Sequence, residues 1–305
     1  MEWGIALNLR ESVQETLEKA ILADRGGLEE IWITDYPATR LSPILASAVA
    51  RHTEHCRIGI GLLSPLIFSP SQIIQYLSSL IDLYGERFDL LLGPGDRIKL
   101  RQIGSDYGDI PTLVERIVNS MNFIKNGLSK YKDFGIFVGA QGEKMIRGAV
   151  GAQGILLNYS DPDMIQWASS LLKKRPKGFK VGIFPPSLVG SSKSCNEHMG
   201  IKTSAAVVAL GLNPSIMRRF ELNEELQPIR KRMREQGLTD DIVDMIDFKT
   251  LMRFCLCGNF EQVFDRLGIY QELGVEKIVF GPPQGASLSG VKRLINTRQR
   301  FYSSI

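Results

Sequence analysis

Residues 88–96 read FDLLLGPGD, and residues 135–142 repeat the form as GIFVGAQG. In each, an unbroken apolar run stops at glycines, the mark of a strand buried on both faces where a parallel sheet passes into a loop. Glycine at such an exit tolerates positive φ and lets a ligand approach the main chain. In parallel α/β folds that edge is where ligands sit. The two strand exits are therefore the expected centre of a site.

Working outward, further short apolar runs occupy 3–9, 30–34, 57–61, 154–157, 179–184 and 277–280. Helical spacing of apolar residues fills the intervals 12–25, 41–51, 71–84, 111–127, 142–150, 162–174 and 259–273, and a last helix is expected over 288–303. Gly26 and Gly27 are expected to end the first helix as left-handed caps, and Pro111 and Pro162 sit in first turns, where a missing N–H costs nothing. Eight strands alternating with helices predict a (β/α)8 TIM barrel of class α/β with right-handed crossovers. Residues 185–258 break the rhythm with several helical segments, so they read as a helical insertion after strand seven of a single domain, 1–305.

A chain of 305 residues, 44% hydrophobic, buries a large core, and barrels of this size are commonly one domain. A net charge of +4 demands neither a nucleic acid nor a membrane as partner. No apolar run reaches the roughly 18 residues that span a bilayer, and the start MEWGIALNL lacks a signal peptide's basic leader, so the expected location is cytoplasmic. Four cysteines do not make a disulfide framework, and thiols are expected throughout. Cys255 and Cys257 have the wrong spacing for a zinc knuckle, Cys195 with His198 supplies only two ligands, and no metal site is expected. His52 and His55 fall at a helix end. The basic runs 173–177 and 230–234 read as solvated helix faces.

The runs IWITDY (31–36), RIGIGLLSPLIFSP (57–70), LYGERFDLLLGPGD (83–96), VGAQG (138–142), GILLNYSDP (154–162) and GNFEQVFDRLGIYQELGVEKIVFGPP (258–283) resemble the bacterial-luciferase-like superfamily. Within it they are most similar to the archaeal methylenetetrahydromethanopterin reductases. The resemblance covers most of the chain and is weakest over 185–258. It implies a barrel enzyme that binds coenzyme F420 at its C-terminal strand ends and moves hydride between that deazaflavin and a small, pterin-like substrate. Relatives use FMN instead, and a paralogue that keeps the scaffold without catalysis is the third possibility. It also implies a non-prolyl cis peptide at Gly61-Leu62 that supports the ring, and a homo-oligomer, by default a dimer.

Hydride transfer between planar rings asks the protein for stacking, dryness and one group to manage a proton. Asp35 and Asp96, at the ends of strands two and four, are the carboxylates placed for that role; turn capping is the competing reading for both. Candidate cofactor contacts are Asp35, Tyr36, Gly61, Leu62, Gly93, Gly95, Gly139, Ala140, Gln141 and Gly142, with the GAQG backbone at a helix start suited to a phosphate. The chain departs from the F420 users at Tyr36, where they usually carry histidine. It departs from the methanopterin reductases at Ala6, where they carry an acid.

Overall fold

The computed structural model describes residues 1–7, 11–35, 40–95, 100, 103–105, 108–191 and 194–303. Its strands are β1 (Glu2–Leu7), β2 (Glu30–Ile33), β3 (Arg57–Leu63), β4 (Phe88–Leu92), β5 (Gly135–Ala140), β6 (Gly154–Leu157), β7 (Lys180–Ile183), β8 (Ser187–Val189), β9 (Leu256–Gly258) and β10 (Lys277–Phe280). Eight of them close into a barrel in the order β1-β10-β7-β6-β5-β4-β3-β2. All the pairs are parallel. The expected TIM-barrel-like architecture is present.

Helices α1 (Val13–Arg25), α2 (Ser42–His52), α3 (Pro70–Tyr84), α4 (Ile110–Gly127), α5 (Glu143–Gly148) and α6 (Pro162–Leu171) fall in turn between the first seven strands. Between β8 and β9 run α7 (Met199–Gly211), α8 (Pro214–Arg219), α9 (Asn223–Gln236), α10 (Asp240–Asp244) and α11 (Phe248–Met252). Helix α12 (Phe260–Glu272) precedes β10, and α13 (Leu288–Ser303) follows it. Local signals set these boundaries. Ser12 and Glu15 form a capping box at α1, Ser69 and Gln72 one at α3, and Asn259 and Gln262 one at α12. Gly26 has φ of −79°, so of the glycine pair after α1 only Gly27, at +80°, is left-handed.

Period-two alternation separates two apolar layers. Ile31, Ile33, Leu90, Leu92, Ile136, Val138, Ile155 and Leu157 face the surrounding helices. Ala6, Trp32, Leu91, Phe137, Leu156 and Val279 form a second cluster inside the barrel. Gly59 leaves room for Trp32, whose ring carbon lies 2.1 Å from where a Cβ would stand.

Below this cluster the N-terminal strand ends carry charge. Buried Lys277 pairs with buried Glu30, which also accepts the Trp32 indole N–H at 2.8 Å. Arg57 grips Asp89 through two hydrogen bonds of 3.0 and 2.8 Å. Every member has a partner, and in barrels this end stabilises rather than reacts.

Two further expectations are corrected. The region after strand seven is not helical alone: β8 and β9 pair in parallel, Leu188 opposite Cys257. Three-residue strands are too short to announce themselves by period. That pairing brings Cys195 within 6.1 Å of Cys257, Cα to Cα, and the two form a disulfide, so the four cysteines are not all thiols. A separation of 62 residues gave no hint of it, because the contact is made by the tertiary return of the insertion.

Candidate active site at the C-terminal mouth of the barrel

The mouth is built by continuing each strand's alternation one step past its end. Inward positions above the inner cluster are Gly93, Gly139, Phe184 and Gly281, following Leu91, Phe137, Gly182 and Val279. Strand β3 departs from this order. The Gly61-Leu62 bond is cis, as the resemblance implied, and the register with β4 shifts between Gly61 and Leu63. The bulge turns Leu62 inward while Leu63 stays in the outer layer.

Leu62 then occupies the space the glycines leave open. Its Cδ1 is 2.6 Å from the point where a Cβ on Gly93 would stand and 2.9 Å from that on Gly139. The two glycine exits, far apart in sequence, are thus joined by one side chain. With Phe184, which also packs on the inner cluster, Leu62 makes an apolar floor. The sequence marked Leu62 only through its resemblance and did not mark Phe184.

Asp35 lies half-buried at the end of β2. Its N–H donates to the Gly61 carbonyl at 3.2 Å, and its carboxylate accepts from the Ser42 N–H at 3.2 Å. Burial raises its pKa above the ordinary carboxylate value, against the Ser42 contacts that lower it. The carboxylate therefore also serves the first turn of α2, where Leu41, the residue before the helix, offers no side-chain cap. Ala6 is buried inside the barrel, so β1 contributes a methyl group there.

Gly95 has φ of +82°, and the Pro94 carbonyl before it accepts from the Ser64 hydroxyl at 2.8 Å. Ala140 faces the outer layer, not the mouth. Gly142 precedes α5 with no side-chain cap, and α5 has six residues, a short source of dipole field. Tyr36 and Asp96 lie outside the described residues. The side chains of Gln141 and Asn158 meet, Gln141 Nε2 donating to Asn158 Oδ1 at 2.9 Å. Asn158 was not singled out from sequence, although counting two on from inward Leu156 reaches it.

Other reactive groups are poor candidates. Burial pushes the Cys56 and Cys255 thiols up to about 12. Among the described residues no group of His, Cys, Asp and Glu is disposed to hold a metal ion. No described helix is long and apolar enough to cross a membrane. Grooves of about 780 and 610 Å³ lie within the insertion and between α3 and α4, and no barrel-strand residue lines either.

Comparison with known proteins agrees with the barrel fold. A 5,10-methylenetetrahydromethanopterin reductase of Methanolobus tindarius is 23% identical over 97% of this chain and 98% of its own length. The coenzyme F420 dependent tetrahydromethanopterin reductase of Methanopyrus kandleri superposes with a TM-score of 0.85 at 18% identity, covering 98% of this chain and 99% of that one. An F420-dependent secondary alcohol dehydrogenase, solved with an F420-acetone adduct, superposes at 0.69 with 13% identity over 97% of both chains. The family described as luciferase-like monooxygenase matches residues 2–277, and the chain belongs to that family as an oxidoreductase.

Proposed function

We propose that the protein is a coenzyme F420-dependent oxidoreductase that moves hydride between the deazaflavin and a methylenetetrahydromethanopterin-like or other small substrate. The observation that carries this reading is Leu62, turned inward by the bulge within β3 onto Gly93 and Gly139 at the open end of the barrel. The reductase relatives support the same choice.

The residues present fit a planar ring. Leu62 and Phe184 offer it an apolar floor, while Gly93, Gly139 and Gly281 keep the wall at backbone height. The bound deazaflavin would supply the carbon that accepts or releases hydride. The chain's own part is to hold the two rings at near-attack distance and exclude water. Asp35, and Asp96 from the GPGD exit, are the carboxyls assigned to orient the ring edge or carry a proton. Burial raises the pKa of Asp35, the direction that favours a carboxyl able to hold a proton. Gly139 to Gly142 would present backbone N–H groups to the phosphate. Ala6 leaves the mouth end of β1 without a carboxyl, so proton handling falls to β2 and β4.

Titration with oxidised F420, followed by the fluorescence of buried Trp32 and its neighbours, tests the reading. Saturation in the micromolar range is expected, and absence of binding up to about a millimolar ends it. Binding of FMN in place of F420 would move the assignment to the flavin-dependent branch of the family.

A further inference from the structure

Among the described residues, two polar side chains at the mouth are paired with each other. Gln141 stands one inward step above Gly139 on β5, and Asn158 one inward step above Leu156 on β6. Strands β5 and β6 are neighbours, with Gly139 opposite Leu156 and Ala140 opposite Leu157. The two carboxamides are therefore side by side on one wall, above the floor made by Leu62 and Phe184. Their contact is Gln141 Nε2 to Asn158 Oδ1 at 2.9 Å. The hydroxyl of Tyr159, buried in the outer layer, donates to the Gln141 main-chain carbonyl at 3.5 Å.

This one bond uses a single donor and a single acceptor. It leaves Gln141 Oε1 as an acceptor and Asn158 Nδ2 as a donor, and neither is a buried atom without a partner. Turning both amides over exchanges the roles and again leaves one donor beside one acceptor. In either state the dyad offers the complement of a ring edge in which an N–H adjoins a C=O. Such a pair of amides discriminates strongly, because a ligand lacking the N–H leaves an acceptor unmatched.

We infer that Gln141 and Asn158 form a recognition dyad for the amide edge of a planar heterocycle lying on Leu62 and Phe184. The inference rests on the functional reading above and adds to it a residue, Asn158, and a ligand edge. Two heterocycles in that reading carry such an edge, the pyrimidinedione of a deazaflavin and the lactam of a pterin.

The test measures binding to the wild-type protein of 5-deazariboflavin and its 3-methyl derivative, and of 6-methylpterin and its 3-methyl derivative. Methylation removes the N–H and keeps the ring. The N–H form of one pair should bind about tenfold more tightly than its methylated partner. Preference within the deazaflavin pair places the cofactor's edge on the dyad, and preference within the pterin pair places the substrate's edge there. Asn158→Leu and Gln141→Met, of similar size, should erase the preference while leaving residual binding of both forms. Equal binding within both pairs overturns the dyad and leaves the functional reading standing. Failure of all the rings, and of F420 itself, to bind overturns both.

Discussion

The main-chain N–H of Asp35 donates to the carbonyl of Gly61 at 3.2 Å, which fastens the end of β2 to the bulge of β3. The carboxyl of one candidate residue and the floor residue Leu62 are therefore set by a shared backbone contact. Replacing Asp35 by asparagine keeps that contact and the size of the side chain. Because burial holds the native carboxyl's pKa above its ordinary value, ionisation weakens the folded state as pH rises through that range. Asp35→Asn is expected to leave the melting temperature at pH 7 unchanged or higher, while turnover with F420 falls by about a hundredfold. Calorimetry and steady-state kinetics on one preparation separate the two effects.

Gly61 has φ of +140°, and a Cβ there would stand 2.4 Å from the Leu91 carbonyl oxygen. Backbone cannot yield as a side chain does, so Gly61→Ala should cost about 3 kcal/mol in urea unfolding. Gly139→Ala meets only the flexible end of Leu62. It should cost less stability and act on ring binding, through the displaced leucine.

Asp24 is buried, which raises its pKa, yet three main-chain N–H groups, from Glu54, His55 and Cys56, bring it down to about 2. Its folded-state pKa lies below the ordinary 3.8, so its contribution is complete above that value and is lost as pH falls toward 2. That contribution is about 2 kcal/mol. Urea midpoints measured from pH 5 downward should decline through this window, and Asp24→Asn should flatten the decline.

The Cys195–Cys257 bond closes a loop across a separation of 62 residues that holds most of the helical insertion. Chain entropy assigns such a closure about 4 kcal/mol. Dithiothreitol, or Cys195→Ser, should lower the melting temperature of the intact protein accordingly. Equal melting curves with and without reductant would remove the bond from the account of stability.

Lys277 and Glu30 are both nearly inaccessible, and burial raises the Glu30 pKa more than Lys277 lowers it. Lys277→Met should cost about 3–5 kcal/mol by stranding a carboxylate. Adding Glu30→Gln should recover much of it. Urea unfolding of the two single variants and the double variant reads the coupling.

The barrel was legible because its rules are local. Unbroken apolar runs such as FDLLL and helical spacing of apolar residues depend on near neighbours in the chain, and they located the eight barrel strands. The glycines at 93 and 139 located the mouth for the same reason. The cis bond at Gly61-Leu62 was reached by resemblance, since no propensity of those two residues announces it.

What needed the tertiary structure is what depends on which distant residues meet. A bulge in β3 reverses the alternation that would have sent Leu62 outward, so the floor of the site could not be read from the pattern of β3. The register of β5 against β6 sets Gln141 beside Asn158 and so pairs them. The return of the insertion pairs β8 with β9, bringing Cys195 to Cys257. The sequence thus determined the barrel, its open end and the glycines that line it. Only closure in space decided which side chains converge there, because contacts between strands are set by register and pairing, which no single segment contains.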